Sequence, residues 1–374
     1  MILSVASLHG AESPKTLREA AGDMLLIGCP VGIKDLDNPE LLALILREFN
    51  CITVETEIMP FKLGADRDAF AFDRADRVIE WVEKQGLPIL GHMLLWDYKT
   101  PVWLFTDESG KPLPRDKGLE NLRYYIHTVM THYKGRIMAW NVVNEAISDE
   151  PGEYLRDTSA WRSIGDDYVE KAFEFAEEAD PNVQLYYNDY NVILPEKREK
   201  TLRLVRSLMH RGRRIDAIGL QGHWLIDRPP AQLIDDAIEA FAAEGLKVMI
   251  TELDVDVLPR TVTGANMQTV DHGPNPYPNG LTDEMQQRLT DRYRSIFEHL
   301  VKHPSVVNIT FWGSHDGRSW LNNFPVTGRT NHALLFDRQL KNKPAHAAVL
   351  KVFEEARAKR PAIQVEQLKP AGAR

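Results

Sequence analysis

Cysteine is scarce: Cys29 and Cys51 are the only two in 374 residues. Both sit in apolar runs of strand length, so each reads as a small buried thiol, and the sequence offers no disulfide framework. No stretch approaches the roughly 20 consecutive apolar residues that a membrane-spanning helix needs. Basic charge is also short. The chain has 45 Lys and Arg against 54 Asp and Glu, a net charge of -9, which speaks against nucleic acid or an anionic membrane as partner because phosphate binding draws on clustered cations. A neutral ligand and a monomer fit better. No Ser/Gly/Pro-rich linker breaks the chain, so no appended module is expected. The opening MILSVASLHGA lacks a basic start, and reads either as the trimmed end of a secretory leader or as a disordered beginning. Secreted, periplasmic and cytoplasmic locations all stay open.

What is present is an alternation. Apolar runs recur at 24–32, 51–56, 87–96, 136–145, 183–191, 216–224, 247–255 and 306–314. Amphipathic segments such as WRSIGDDYVEKAFEFAEEA and DEMQQRLTDRYRSIFEHLVK lie between them. Near-continuous apolar strands separated by helices mean a parallel sheet covered by helices, and eight such units close into one (β/α)8 TIM barrel, an α/β fold. The expected organisation is a lead-in over 1–23, a single catalytic domain over 24–360 and a loosely held tail over 361–374. The irregular stretch 258–282, after the seventh run, reads as a long loop on the active face.

In a barrel of this kind chemistry sits at the C-terminal ends of the strands. Those ends carry Glu55, His92 and Trp96, Asn144 and Glu145, Asn188 and Tyr190, Gln221 and His223, Glu252 and Asp254, and Trp312. Such a ring of carboxylates, amides, imidazoles and indoles suits sugars: indole faces stack on pyranose C–H faces while amides and carboxylates take hydroxyls. Glu145 and Glu252 close the fourth and seventh runs and can face each other across the barrel mouth. Taken singly, either could be a salt-bridged strand-end carboxylate. As a pair they match what glycosidic cleavage needs, an acid for the leaving oxygen and a base or nucleophile for the oxocarbenium-like carbon. His315 and Asp316 near His223 raise the question of a metal cluster, but the H-x-H of metal-dependent barrel hydrolases is missing from the first strand. Neither a metal nor another cofactor is expected.

The segments WNVVNEAISD, YYNDYN, GLQGH, ITELDV, FWGSHDGRSWLN and GHMLLW resemble the signature segments of glycoside hydrolase family 10, the (β/α)8 endo-β-1,4-xylanases. The similarity runs from about residue 24 to 358 and is strongest after residue 87. It implies a retaining hydrolase acting on xylan or xylo-oligosaccharides, with Glu145 as acid/base, Glu252 as nucleophile and Asn144 on the 2-hydroxyl of the sugar being cleaved. It further implies that His223 contacts the nucleophile and is held by Asp254. Trp312 and Trp320 would wall the central subsites, with Glu55, His92, Trp96, Tyr190 and Gln221 completing the substrate contacts.

The resemblance breaks after the second strand. Where the family carries asparagine after the glutamate, and then lysine and tryptophan, this chain has Thr56, Met59 and Pro60. Lys62 lies close by and would compensate only if the loop were re-registered. Asp97 also replaces a histidine after Trp96. These changes fall on the glycone side of the cleft and leave open a family 10 glycosidase with specificity shifted to decorated or non-xylan β-glycosides. A catalytically inactive carbohydrate-binding barrel is the alternative of another class.

Overall fold

A computed structural model describes residues 16–260 and 272–358; the first part of the expected lead-in, part of the long loop and the expected tail lie outside the described residues. The strands are β1 Leu26–Val31, β2 Cys51–Val54, β3 Ile89–Leu95, β4 Ala139–Asn144, β5 Gln184–Asp189, β6 Ala217–Leu220, β7 His223–Leu225, β8 Lys247–Asp256 and β9 Val306–Phe311. The α-helices are α1 Leu17–Ala21, α2 Pro39–Glu48, α3 Pro60–Leu63, α4 Asp73–Lys84, α5 Arg115–His132, α6 Ser159–Ile164, α7 Tyr168–Ala179, α8 Pro195–His210, α9 Ala231–Ala243, α10 Asp283–Leu300 and α11 Pro344–Arg357. No described helix is long and apolar enough to cross a membrane.

Every strand pairing within the barrel is parallel, and the order β1-β2-β3-β4-β5-β6-β8-β9 closes through β9 onto β1. This is an eight-stranded barrel. Strands covered on both faces must be apolar on both, which is why the runs read as continuous rather than alternating. One apolar layer lies between the strands and the helices. A second, inside the barrel, gathers Leu26, Cys51, Leu90, Met138, Ala139, Tyr186, Ala217, Met249 and Val307, which come from near the start of their strands. They plug the N-terminal end. Further along the strands the buried residues turn polar, with Thr53, His92, Asn141, Asn188, Thr251 and Asn308, so the inside of the barrel is dry at one end and hydrogen-bonding at the other.

Two sequence expectations change. The sixth run is broken: β6 pairs with β5 and β8, the chain turns at Gly222 with φ +86°, and β7 resumes pairing with β8 further along. Only glycine adopts that backbone cheaply, and a Cβ there would come within 2.9 Å of Ile250. The segment expected as a lead-in also holds α1, whose Leu17, Ala20 and Ala21 are buried. Thr16 caps it, and the Leu17 N–H donates to Glu48 Oε2 at 3.0 Å. Glu48 in turn meets His346 of α11 at 3.0 Å, both almost fully buried. Cys29 and Cys51 are free and buried, and burial raises both thiols, Cys51 to about 12.

Candidate active site

β4 ends because Glu145 leaves the extended conformation, at φ 58°. A left-handed backbone at a non-glycine residue is strained and persists only where neighbours enforce it. Here the Tyr187 hydroxyl accepts the N–H groups of Ala146 and Ile147 at 2.9 and 3.0 Å, and donates to Asp189 Oδ2 at 2.5 Å. The Glu145 N–H itself donates to the Asn188 carbonyl at 2.9 Å. The turn aims the Glu145 carboxyl into the barrel mouth.

There it meets the other carboxyl through a chain of amides. Gln221 Nε2 donates to Glu145 Oε1 at 2.8 Å and reaches Asn144 Oδ1 at 3.5 Å. Asn188 Nδ2 donates to Asn144 Oδ1 at 2.9 Å and to Glu252 Oε1 at 2.8 Å. Gly219 leaves room for this: a Cβ on it would lie 2.2 Å from Asn188 Oδ1.

The surroundings of the two glutamates differ in sign. Burial pushes Glu145 above the ordinary carboxylate range and the nearby Asp189 charge adds to it, outweighing the Gln221 bond and Arg156. Burial would raise Glu252 as well, but bonds and charge from His223, His92 and Asn188 win and hold it below its usual value. His223 Nε2 lies 3.1 Å from Glu252 Oε2, and its Nδ1 3.1 Å from Asp254 Oδ2. Burial alone would lower this imidazole, yet the two carboxylates raise it to about 10, so it is a cation at neutral pH. His92 goes the other way, lowered by burial, with its Nε2 3.9 Å from Glu252 Oε1.

Glu55, His92, Trp96, Asn144, Glu145, Tyr190, Gln221, His223, Glu252, Trp312 and Trp320 all line one cleft of ≈ 280 Å³ at the C-terminal end of the barrel. Asp254 stands behind it, bound to His223 and accepting the Trp320 indole N–H at 2.7 Å. A larger cavity of ≈ 690 Å³ opens on the flank beside α7 and α8, but its carboxylates are spent on structural partners, Asp167 on Arg115 and Glu170 on Arg211. Glu145 and Glu252 both line the smaller cleft.

The sequence from 15 to 352 matches the family model described as glycosyl hydrolase family 10. The chain belongs to that family. It is 36% identical to endo-1,4-beta-xylanase A of Xylanibacter ruminicola, over 95% of this chain and 97% of that protein. It is 38% identical to an endo-1,4-beta-xylanase of Geobacillus stearothermophilus, over 90% and 98%. A GH10 endoxylanase from a sugarcane soil metagenome superposes with TM-score 0.85 at 36% identity, covering 90% of this chain and 99% of that one.

Within this family 10 barrel the cleft walls carry residues that strand-end reasoning missed. Asn191, Arg260 and Phe324 line it, Phe324 stacking on Trp320 with ring centroids 4.7 Å apart. That pair would have needed the fold of the loop to be known. Tyr190 lines the cleft with the Lys197 ammonium 3.7 Å and the Arg156 guanidinium 5.1 Å from its ring centroid, and Asp149 and Arg156 hold its hydroxyl. Asp97 does not face the cleft but accepts from the Ser159 N–H and hydroxyl at 2.9 and 3.0 Å, at the start of α6. Met59 lines the cleft, whereas Lys62 is exposed and packs its ammonium over Phe61. Glu55, also on this wall, is raised by burial to about 7.

Proposed function

We propose that the protein is an endo-acting, retaining β-1,4-xylanase in which Glu252 is the nucleophile and Glu145 the acid/base. The observation that carries the assignment is the opposite direction of their environments: burial and the Asp189 charge favour the protonated form of Glu145, while His223 beside Glu252 favours its ionised form. Divergent pKa values in one site are how two like groups take unlike roles. Glu252 attacks C1 as the C1–O bond breaks, and the Glu145 proton goes to the departing oxygen. Glu145, now ionised, takes a proton from water as that water attacks C1 and releases Glu252, so two inversions retain the configuration. Asn144, whose Oδ1 already accepts from Asn188, presents its amide nitrogen to the 2-hydroxyl.

The relatives named xylanases, and the indoles Trp96, Trp312 and Trp320 around the carboxyls, support a xylose polymer or its oligomers as substrate. With a net charge of -9, a neutral glycan bound by a monomer is the fitting partner, without nucleic acid or membrane. Azide separates the two glutamates. Glu145→Ala should still form the glycosyl-enzyme from an activated aryl glycoside and yield a β-glycosyl azide, while rescue of Glu252→Ala should yield the α-azide. The opposite anomers would reverse the assignment.

A further inference from the structure

The flank cavity beside α7 and α8 holds neither glutamate of the cleft, yet an indole, a phenol, carboxylates and guanidinium groups line it. Trp161 of α6 is 37% exposed there, and its N–H donates to Asp166 Oδ1 at 2.8 Å, which fixes the plane of the ring. Tyr154 comes from the turn that leaves Glu145. That turn doubles back through the antiparallel bridge between Ile147 and Leu155, with the Ser148 N–H donating to the Tyr154 carbonyl at 3.0 Å. Arg203 of α8 lays its guanidinium 4.0 Å from the centroid of the Tyr154 ring.

Charge decides what such a cavity takes. Asp157 accepts twice from Arg162 at 2.7 and 2.8 Å, Asp167 twice from Arg115 at 2.7 Å, and Glu170 meets Arg211 at 3.3 Å. A metal cation would find these carboxylates already matched, and an anion would meet more carboxylates than guanidinium groups among the lining residues. A hydroxyl is a different case. An ionised carboxylate has about four lone-pair sites, so a paired one still accepts from a hydroxyl. Arg203 forms no ion pair among the described residues, and a ring face takes none of its N–H donors. An uncharged ligand with many hydroxyls and an apolar ring face satisfies the donors, the acceptors and the indole together. At ≈ 690 Å³ the cavity is of the size that holds such a ligand.

We propose that this cavity is a second glycan site, in which Trp161 stacks on a sugar ring of a neutral β-glycan while Arg203 and the paired carboxylates take its hydroxyls. This rests on the xylanase reading above and extends it: a polymeric substrate is held on the flank of the barrel as well as cut in the cleft. The flank binds without cutting. The bonds from Arg162 and Arg115 hold Asp157 and Asp167 below the usual carboxylate range, so neither supplies a proton to a leaving oxygen.

Affinity electrophoresis through gels containing neutral arabinoxylan tests this, with the catalytic cleft filled by a 2-deoxy-2-fluoro-β-xylobioside inactivator. The filled enzyme should still be retarded. Trp161→Ala and Arg203→Ala, on different helices, should each weaken that binding about fivefold and raise KM on the polymer, while kcat/KM on 4-nitrophenyl β-xylobioside stays at the wild-type value. Trp161→Phe keeps a ring and should retain most of the retardation, which separates lost stacking from a lost fold. Retardation unchanged in both alanine variants, or a matching loss of kcat/KM on the xylobioside, would overturn the flank site. A wild-type enzyme that neither cleaves xylan nor is inactivated by the fluoroglycoside would instead overturn the retaining xylanase reading, and this proposal with it.

Discussion

Trp96 donates its indole N–H to Glu145 Oε2 at 3.0 Å. The aromatic wall of the cleft and the proposed acid/base are thus one unit, since an indole that lines the cleft also holds the Glu145 carboxyl. Trp96→Phe keeps a ring and removes the donor. We expect kcat to fall about tenfold on xylo-oligosaccharides, whose leaving group needs a well-placed proton, and much less on an aryl xylobioside with an activated leaving group. Equal losses on both substrates would mean that the indole serves stacking alone.

The pH profile of kcat/KM should be a bell. With the proposed roles, activity needs Glu252 ionised and Glu145 protonated, so the acid limb should belong to Glu252, below the ordinary carboxylate value of 4.5, and the basic limb to Glu145, above it. Asp189→Asn removes a negative charge that disfavours ionisation of Glu145. The basic limb should then move to lower pH while the acid limb stays, which initial rates across pH would record.

Tyr187→Phe tests how the left-handed turn at Glu145 is held. The substitution strips the acceptor from two buried N–H groups, those of Ala146 and Ile147. An unsatisfied buried donor costs about 1–3 kcal/mol. Urea unfolding should register a loss of that order, and kcat should drop as the carboxyl loses its fixed direction, with KM changing less.

At the far end of the barrel, His346→Ala should destabilise by about 1.5–3 kcal/mol, because it removes a charge-assisted bond from the buried Glu48 and leaves it Arg47 and the Leu17 N–H. Burial raises Glu48, but the bonds from His346, the Leu17 N–H and Arg47 outweigh it, and its folded pKa lies below 4.5. A depressed carboxyl contributes stability that is fully present above its unfolded pKa and is lost as pH falls through the folded value. The gap between wild type and variant should therefore be wide at neutral pH and close in acid, as denaturation midpoints across pH would measure.

The sequence was most legible where parallel-sheet burial forces continuous apolar runs and the barrel places chemistry at their ends. That logic reached Glu145, Glu252 and the residues ringing them. It was least legible where a role depends on a neighbour distant in the chain. Asn188 is readable as a strand-end amide, but its bridge between Asn144 and Glu252 depends on the space left by Gly219. Asp97 reads as a lost sugar contact until the start of α6 is seen against it. The break at Gly222 was hidden because an apolar run carries no record of one left-handed residue inside it.

The seam between β1 and β9 also orders the birth of the molecule. A chain made from its N-terminus produces β1 near residue 26 and the strand that covers its open edge only from Val306 onward. Until then β1 presents unpaired N–H and C=O groups, the kind of edge on which other chains add. That edge is sealed only once β9 has been made, so the stretch that carries β9, rather than β4 or β8, is where the nascent chain loses its open sheet edge.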